Sequence, residues 1–383
     1  MPPVLPSLDI VKRLIAFDST SRNSNLDLIA FAADMLASIG ARIRLTHDEG
    51  KKKANLFATL GTERDGGYVL SGHTDVVPVD GQNWSSNPFV AEIRDAKLYG
   101  RGACDMKGFV GTALALAPEF AALDLRRPIH FAFSFDEEVG CVGVRRLLDD
   151  LRKQKIRPAL AVIGEPTEMR VVGAHKAGAV IETLAKGREG HSSEPARGAN
   201  AVMMAGEFVA ALKQLGDELT ASRDDRFAPP YTTIQANMIS GGTAVNVLAR
   251  ETKVMWEYRA LPDHDTDAIM RRANERAAVI AEGYRGGAPE AVFETRVRAA
   301  YPGLKRDPNS PAVQLACRLT GNNDVHAISY GTEAGLFQAA GIPAVICGPG
   351  SIQQAHRPDE FVDLAQLDAC TAFLRRLARQ AAD

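Results

Sequence analysis

Three short segments carry side chains of the types that can bind metal ions and move protons: Ser71-Gly72-His73-Thr74-Asp75, Gly100-Arg101-Gly102-Ala103-Cys104-Asp105-Met106-Lys107-Gly108 and Asp136-Glu137-Glu138-Val139-Gly140. Two more lie further along the chain, Gly164-Glu165-Pro166-Thr167 and Ala355-His356-Arg357-Pro358-Asp359-Glu360. A zinc ion takes imidazole nitrogen and carboxylate oxygen, and a catalytic site keeps one position for water. His73, Asp105, Glu138, Glu165 and His356 each fall in a Gly- or Pro-punctuated segment at the end of an expected element. With one carboxylate bridging, that set would fill two three-ligand sites and leave room for a shared water, as metal-assisted hydrolysis requires. Asp75, two residues beyond His73, shares its side of an extended backbone and is placed to accept a hydrogen bond from the second imidazole nitrogen. Glu137 cannot point the same way as Glu138 in a regular extended backbone, which leaves it as the proton carrier.

Each segment also has a structural reading. Acidic residues favour the positive end of a helix, so Asp136-Glu137-Glu138 reads equally as a solvated helix start, and Glu165 as an early helix residue. His356, between Ala355 and Arg357, reads as a surface-loop histidine. The spacing matches no short zinc motif such as HExxH. Joint occurrence is what favours the metal reading.

These residues need a scaffold, and the apolar patterning supplies one. Helical spacing covers Leu8 to Phe17 and Asn25 to Ile39, and short strands follow at Ala54 to Leu60 and Gly67 to Leu70. A helix through Gly111 to Leu116, a strand at Ile129 to Phe135, a helix at Val142 to Asp150 and a strand at Ala159 to Ile163 continue the alternation. This pattern predicts an α/β domain with a mostly parallel sheet covered on both faces, carrying the acidic clusters where strands leave the sheet. From about Ala179 the order becomes β-α-β-β-α-β, that of a ferredoxin-like α+β unit, and past Tyr301 the first style resumes. The expected division is therefore a discontinuous metal-binding domain of residues 1–178 and 300–383 with an inserted domain of residues 179–299. In the inserted helix Ala199 to Leu215, Met203, Phe208 and Leu212 suit either a sheet-facing core or a contact surface.

Length and charge set the outer bounds. At 383 residues the chain is long enough for two domains, taking roughly 100–200 residues for each. Lys and Arg number 45 against 47 Asp and Glu, so no excess positive charge favours a nucleic-acid partner. Five cysteines without a CxxC pair suggest reduced thiols. No apolar run is long enough to span a membrane, and Met1 to Pro6 lack the basic and apolar regions of a signal peptide, so the cytoplasm is the expected address. Lys51-Lys52-Lys53 reads as a solvated turn.

The five segments in this order resemble the dinuclear-zinc aminoacylase and carboxypeptidase family of co-catalytic exopeptidases, and the resemblance covers nearly the whole chain. It implies a zinc-exopeptidase-like fold and two divalent metal ions, zinc with cobalt as a substitute. It also implies that Asp105 bridges the two, that Glu138 and His356 complete one site and His73 and Glu165 the other, that Glu137 is the general acid/base, and that Asp75 orients a histidine. The inserted domain is implied to form a homodimer contact and a lid. Its segment Gly187-Arg188-Glu189-Gly190-His191-Ser192-Ser193 makes His191 the histidine that reaches the scissile carbonyl, in cis or across the dimer. Asn246 matches a substrate-facing asparagine, with Ala249 standing where proline is usual, and Arg259 matches an arginine that clamps the substrate α-carboxylate. In Ser329-Tyr330-Gly331-Thr332-Glu333-Ala334, Glu333 is expected to meet a cationic substrate side chain, or else simply to start the following helix. A small-molecule N-acyl amino acid is the implied substrate class. The alternatives are a succinyl-diaminopimelate hydrolase, a broad aminoacylase, and a non-catalytic homodimer that keeps the fold.

Overall fold

The computed structural model describes residues 6–62 and 65–383. The leading segment read above for a signal lies outside them up to residue 5. In chain order the principal strands are β1 (Arg42–His47), β2 (Ala54–Leu60), β3 (Tyr68–His73), β4 (Ile129–Ser134), β5 (Leu160–Pro166) and β6 (Val171–His175). Then come β7 (Ala177–Lys186), β8 (Thr233–Gly241), β9 (Glu251–Ala260) and β10 (Val292–Tyr301), followed by β11 (Val325–Ile328) and β12 (Ala344–Gly348). The chain divides into two compact units: one holds the residues up to Ala174 with Leu304–Ala327 and Thr332–Asp383, the other His175–Gly303 with Ile328–Gly331.

Among the described residues, the first unit is built on an eight-stranded sheet in the order β1-β2-β4-β3-β5-β12-β6-β11. Its middle, β4-β3-β5-β12, is parallel, and β1-β2-β4 on one side and β12-β6 on the other pair antiparallel. Strands β2 to β5 are buried along their whole length, which is why they read as continuous apolar runs rather than alternating ones. The helix Lys107–Ala121 packs on β3 and against the helices Pro6–Ile15 and Leu364–Ala382. Gly164 allows that helix its close approach: a Cβ there would sit 2.0 Å from the Phe109 ring. The parallel strands β3 and β5 therefore end at His73 and Glu165 beside the turn that delivers Asp105.

The second unit contains a four-stranded antiparallel sheet, β8-β9-β7-β10, with the helices Ala201–Leu219 and Thr266–Tyr284, which is the ferredoxin-like order. Its core resolves the ambiguous helix face. Phe208 and Leu212 are buried, with Phe208 edge-on to Trp256 at 6.2 Å, whereas Met203 is 58% exposed.

Within the first sheet, His130 is a buried neutral bridge. Its ring stacks on Phe57 at 5.0 Å, Nε2 meets the Gly66 carbonyl at 3.0 Å, and Nδ1 meets the Thr59 hydroxyl at 2.9 Å. Burial lowers its pKa to about 4; the Gly66 carbonyl and Asp65 oppose that shift and Arg42 reinforces it. The unfolded chain therefore takes up this proton first as pH falls, so the native state loses stability between the ordinary histidine range and about 4. Urea unfolding of wild type and His130→Gln should show the gap between them shrinking by about 2 kcal/mol from pH 7 to pH 5, at about 1.4 kcal/mol per pKa unit. A gap independent of pH would mean that His130 titrates alike in both states.

Candidate metal centre

Five segments converge on one cluster, buried except at the half-exposed His356. His73 closes β3, Glu165 lies in β5, Asp105 precedes the helix Lys107–Ala121, and Glu137 and Glu138 follow β4. His356 comes from the loop after the short helix Ile352–Gln354. Asp105 stands between the two imidazoles: its Oδ1 lies 2.9 Å from His73 Nε2 and its Oδ2 3.5 Å from His356 Nε2. Glu138 Oε2 is 3.0 Å from His356 Nε2, and Glu165 Oε1 is 3.8 Å from His73 Nε2. The structure thus brings His73, Asp105, Glu138, Glu165 and His356 together in two halves sharing Asp105.

Ligand-capable atoms of His73, Asp105 and Glu138 lie within 4.8 Å of one another, and so do those of His73, Glu137 and Glu165. Glu137 therefore reaches the cluster alongside Glu138, against the alternation expected of an extended chain. The cause is Asp136, whose φ of 55° takes the backbone out of the strand conformation immediately before them. Aspartate is among the residues that tolerate this left-handed region. Lys53 ion-pairs with the Asp136 carboxylate and also donates to the Ser21 carbonyl, so this lysine is a half-buried brace and not part of a solvated turn.

Asp75 also departs from its expected contact. Its carboxylate Oδ1 is 3.7 Å from His73 Nδ1, too far for a hydrogen bond, and that nitrogen instead meets the Asp75 main-chain carbonyl at 2.9 Å. The carboxylate accepts the backbone N–H of Glu137 at 3.0 Å and of Glu138 at 3.3 Å, with the Ser21 hydroxyl at 2.7 Å. Asp75 thereby ties the loop of the paired glutamates to the end of β3.

The expectation that Glu333 meets a cationic substrate is corrected by its position. The side chain is 1% exposed, and its carboxylate accepts the Ser134 hydroxyl and, at 3.3 Å, the Ser71 hydroxyl. Both serines belong to the strands that carry the cluster. Glu333 lies close enough to His73 and Glu137 for mutual electrostatic influence, so it supports the site from within the protein.

The electrostatics fit a cationic group. Burial, with the negative charge of neighbouring carboxylates, pushes Glu137 up to about 8 and Glu138 to about 7, and raises Glu165 well above the carboxylate range. Burial raises Glu333 to about 7. Burial also opposes ionisation of Asp105, but hydrogen bonds from His356 and His73 outweigh it and hold that carboxyl low. Crowded carboxylates with two imidazoles form an oxygen- and nitrogen-rich donor set suited to divalent ions, whose positive charge would relieve the repulsion.

In the second unit, the short strands Gly190–His191 and Val247–Leu248 pair, with His191 opposite Val247 and the Asn246 carbonyl accepting Ser192 N–H at 3.1 Å. His191 and Asn246 are thus neighbours. The exposed His191 ring accepts the Ser193 N–H at its Nδ1, which places the ring proton of the neutral form on Nε2. Arg259, near the end of β9, is held by the Tyr301 hydroxyl and by Glu257 at 2.9 Å.

Residues 69–380 match Peptidase family M20/M25/M40. Acetylornithine deacetylase of Shigella sonnei (strain Ss046) is 32% identical over 366 residues, covering 94% of this chain and 93% of that one. Among solved structures, the M20 family metallo-carboxypeptidase Sso-CP2 of Sulfolobus solfataricus superposes with a TM-score of 0.79 at 15% identity, over 98% of this chain and 99% of that one. Aminopeptidase PepT of Bacillus cereus ATCC 10987 gives 0.76 at 19% identity, over 98% of both chains. The chain belongs to the M20/M25/M40 peptidase family. It is a hydrolase, and the reading as a non-catalytic homodimer is set aside. No helix among the described residues is long and apolar enough to cross a membrane.

The two roles assigned to the cluster separate in substitution. Glu137→Ala should keep about the wild-type metal content while kcat falls by roughly 10²–10⁴-fold, the loss of a positioned acid/base group. His356→Ala should lower metal content. Metal analysis of both purified variants beside the amide-cleavage rate checks this; metal loss in Glu137→Ala in step with activity would make Glu137 a ligand.

Proposed function

We propose that this protein hydrolyses N2-acetyl-L-ornithine to L-ornithine and acetate, using two divalent ions, zinc with cobalt as a substitute. The observation that carries the substrate is the near full-length similarity to the acetylornithine deacetylase of Shigella sonnei. In this reading His73 and Glu165 would hold one ion, Glu138 and His356 the other, and Asp105 would contribute to both. When bound, such a pair lowers the pKa of water and polarises an amide carbonyl.

The remaining work falls to the protein's own side chains. Glu137 takes the proton of the attacking water and returns it to the nitrogen as the C–N bond breaks, so no covalent enzyme intermediate is needed. His191, with its proton on Nε2, donates to the carbonyl oxygen as negative charge develops there. Asn246 faces the substrate, and Arg259 binds the α-carboxylate with a planar fork that matches two oxygens. Asp75 holds the backbone of Glu137 and Glu138, a task that supports both metal binding and proton transfer.

A second reading, a broad N-acyl amino acid hydrolase, is favoured by the burial of Glu333 between Ser71 and Ser134, which removes one carboxylate from the side-chain end of the substrate. Steady-state rates on N-acetyl-ornithine, N-acetyl-citrulline, N-acetyl-norleucine and succinyl-diaminopimelate separate the readings. The proposal expects the highest kcat/KM for N-acetyl-ornithine, and expects Glu333→Gln to lower all four by a similar factor. Equal wild-type rates across the panel would favour the broad enzyme.

We further infer a cytoplasmic homodimer joined through the second unit. Its edge strand β8 exposes Met238 and Ile239 at 68% and 53%, an apolar edge of the kind that recruits another strand. Sedimentation at micromolar concentration should give twice the chain mass. A fully active monomer would remove the dimer and any histidine donated across it.

A further inference from the structure

The motif that delivers His356 ends in Glu360, a carboxylate to which the reaction assigns no part. Glu360 is 1% exposed and receives four donors. Its Oε1 accepts the backbone N–H groups of Cys104 at 2.9 Å and Asp105 at 3.0 Å. Its Oε2 accepts Gly102 N–H at 3.0 Å and Arg101 Nη1 at 2.7 Å. Three of the four come from the backbone of the turn that presents Asp105, and the fourth from a side chain of that turn. The main chain adds a further tie, Gly100 N–H to the Glu360 carbonyl at 3.0 Å.

The connection continues to the other imidazole. Arg101, itself buried, donates through Nη2 to Gln82 Oε1 at 2.6 Å, and Gln82 Nε2 donates to the His356 carbonyl at 2.9 Å. Trp84 Nε1 also donates to Gln82 Oε1, at 3.0 Å, and the Trp84 ring lies 5.0 Å from the Arg101 guanidinium. A closed path therefore runs from the Asp105 backbone through Glu360, Arg101 and Gln82 to the His356 backbone. His356 has a φ of 63°, so its loop holds a conformation that non-glycine residues adopt only where neighbours fix it.

We propose that Glu360, acting with Arg101 and Gln82, is a positioning group that sets the distance between Asp105 and His356 and thereby the affinity for the ion that Asp105, Glu138 and His356 share. The inference rests on the reading of the cluster as a dinuclear metal centre. A buried Arg–Glu pair could serve the fold alone, but here both ends of the path are backbone atoms of ligand residues. Groups that orient metal ligands from behind change affinity by about 10–100-fold when substituted. The half assembled from His73 and Glu165 has no link in this path except through Asp105, so the two ions should respond unequally.

The experiment uses the full chain stripped with a chelator and titrated with Co²⁺, following the visible absorption of each bound ion and the competition with a chromophoric chelator. Wild type should bind two ions per chain. Glu360→Gln should weaken one of them by about 10–100-fold and leave the other near wild type. Gln82→Met, which removes the links to His356, Arg101 and Trp84 at a partly exposed position while leaving the ties from Glu360 to the Asp105 turn in place, should weaken the same ion by less. Circular dichroism checks that each variant is folded; if Glu360→Gln is not, Gln82→Met decides alone. Wild-type binding of both ions in the folded variants, or equal weakening of both ions, would overturn the positioning role. Failure of wild type to bind Co²⁺, with His356→Ala behaving identically, would overturn the metal reading itself.

Discussion

Asp105 gives one carboxylate oxygen to His73 and the other to His356, and the two imidazoles offset the burial that opposes its charge. An ionised carboxylate away from water is costly unless it is paired and hydrogen-bonded. Each imidazole belongs to a different segment, one ending a central parallel strand and one lying in a loop more than 280 residues later, so the contact closes only when the whole first unit is in register. The burial of β3, the close approach allowed by Gly164, and the backbone ties from Asp75 and Glu360 all hold this geometry.

The same crowding separates duties among chemically identical groups. Asp105 is held low by two imidazoles, whereas Glu137 and Glu138, adjacent in sequence, are pushed up by burial and by neighbouring carboxylates, Glu138 acting on Glu137 and Asp105 on Glu138. Charge is thus available for binding cations at one carboxylate and a proton for transfer at another.

Much of this was legible in the sequence because burial is written there directly. Strand Ala54–Leu60 is recovered to the residue, since a strand covered on both faces reads as a short, mostly apolar run; its two polar residues, Asn55 and Thr59, are buried and hydrogen-bonded. Strand Arg42–His47 went unread: it lies at the sheet edge, half exposed, and its two arginines dilute the apolar signal. The alternation rule that separated Glu137 from Glu138 fails because Asp136 leaves the extended region just before them. Lys53 looks solvated within a run of three lysines, yet its partner Asp136 is 83 residues away, and long-range ion pairs leave no local pattern. Phe208 and Met203 sit on one helix with opposite fates that spacing alone did not separate. Glu333 was read as a substrate contact, with a helix start as the alternative; it does stand directly before the helix Ala334–Ala339, and its serine partners, 262 and 199 residues away, leave no local pattern.

The discontinuity of the first unit bears on how the protein is made. Four of the five candidate ligand residues precede the second unit in the chain, and His356 follows it. During synthesis His73, Asp105, Glu138 and Glu165 leave the ribosome with the strands that hold them, then the ferredoxin-like unit emerges, itself able to gather a core of its own. Glu360 and His356 arrive last and together. A nascent chain therefore carries the four acids Asp105, Glu137, Glu138 and Glu165 with one imidazole for most of its elongation, and the last part of the cluster is added by a segment that must return to the strand Leu160–Pro166, beside which Ala344–Gly348 also has to pair.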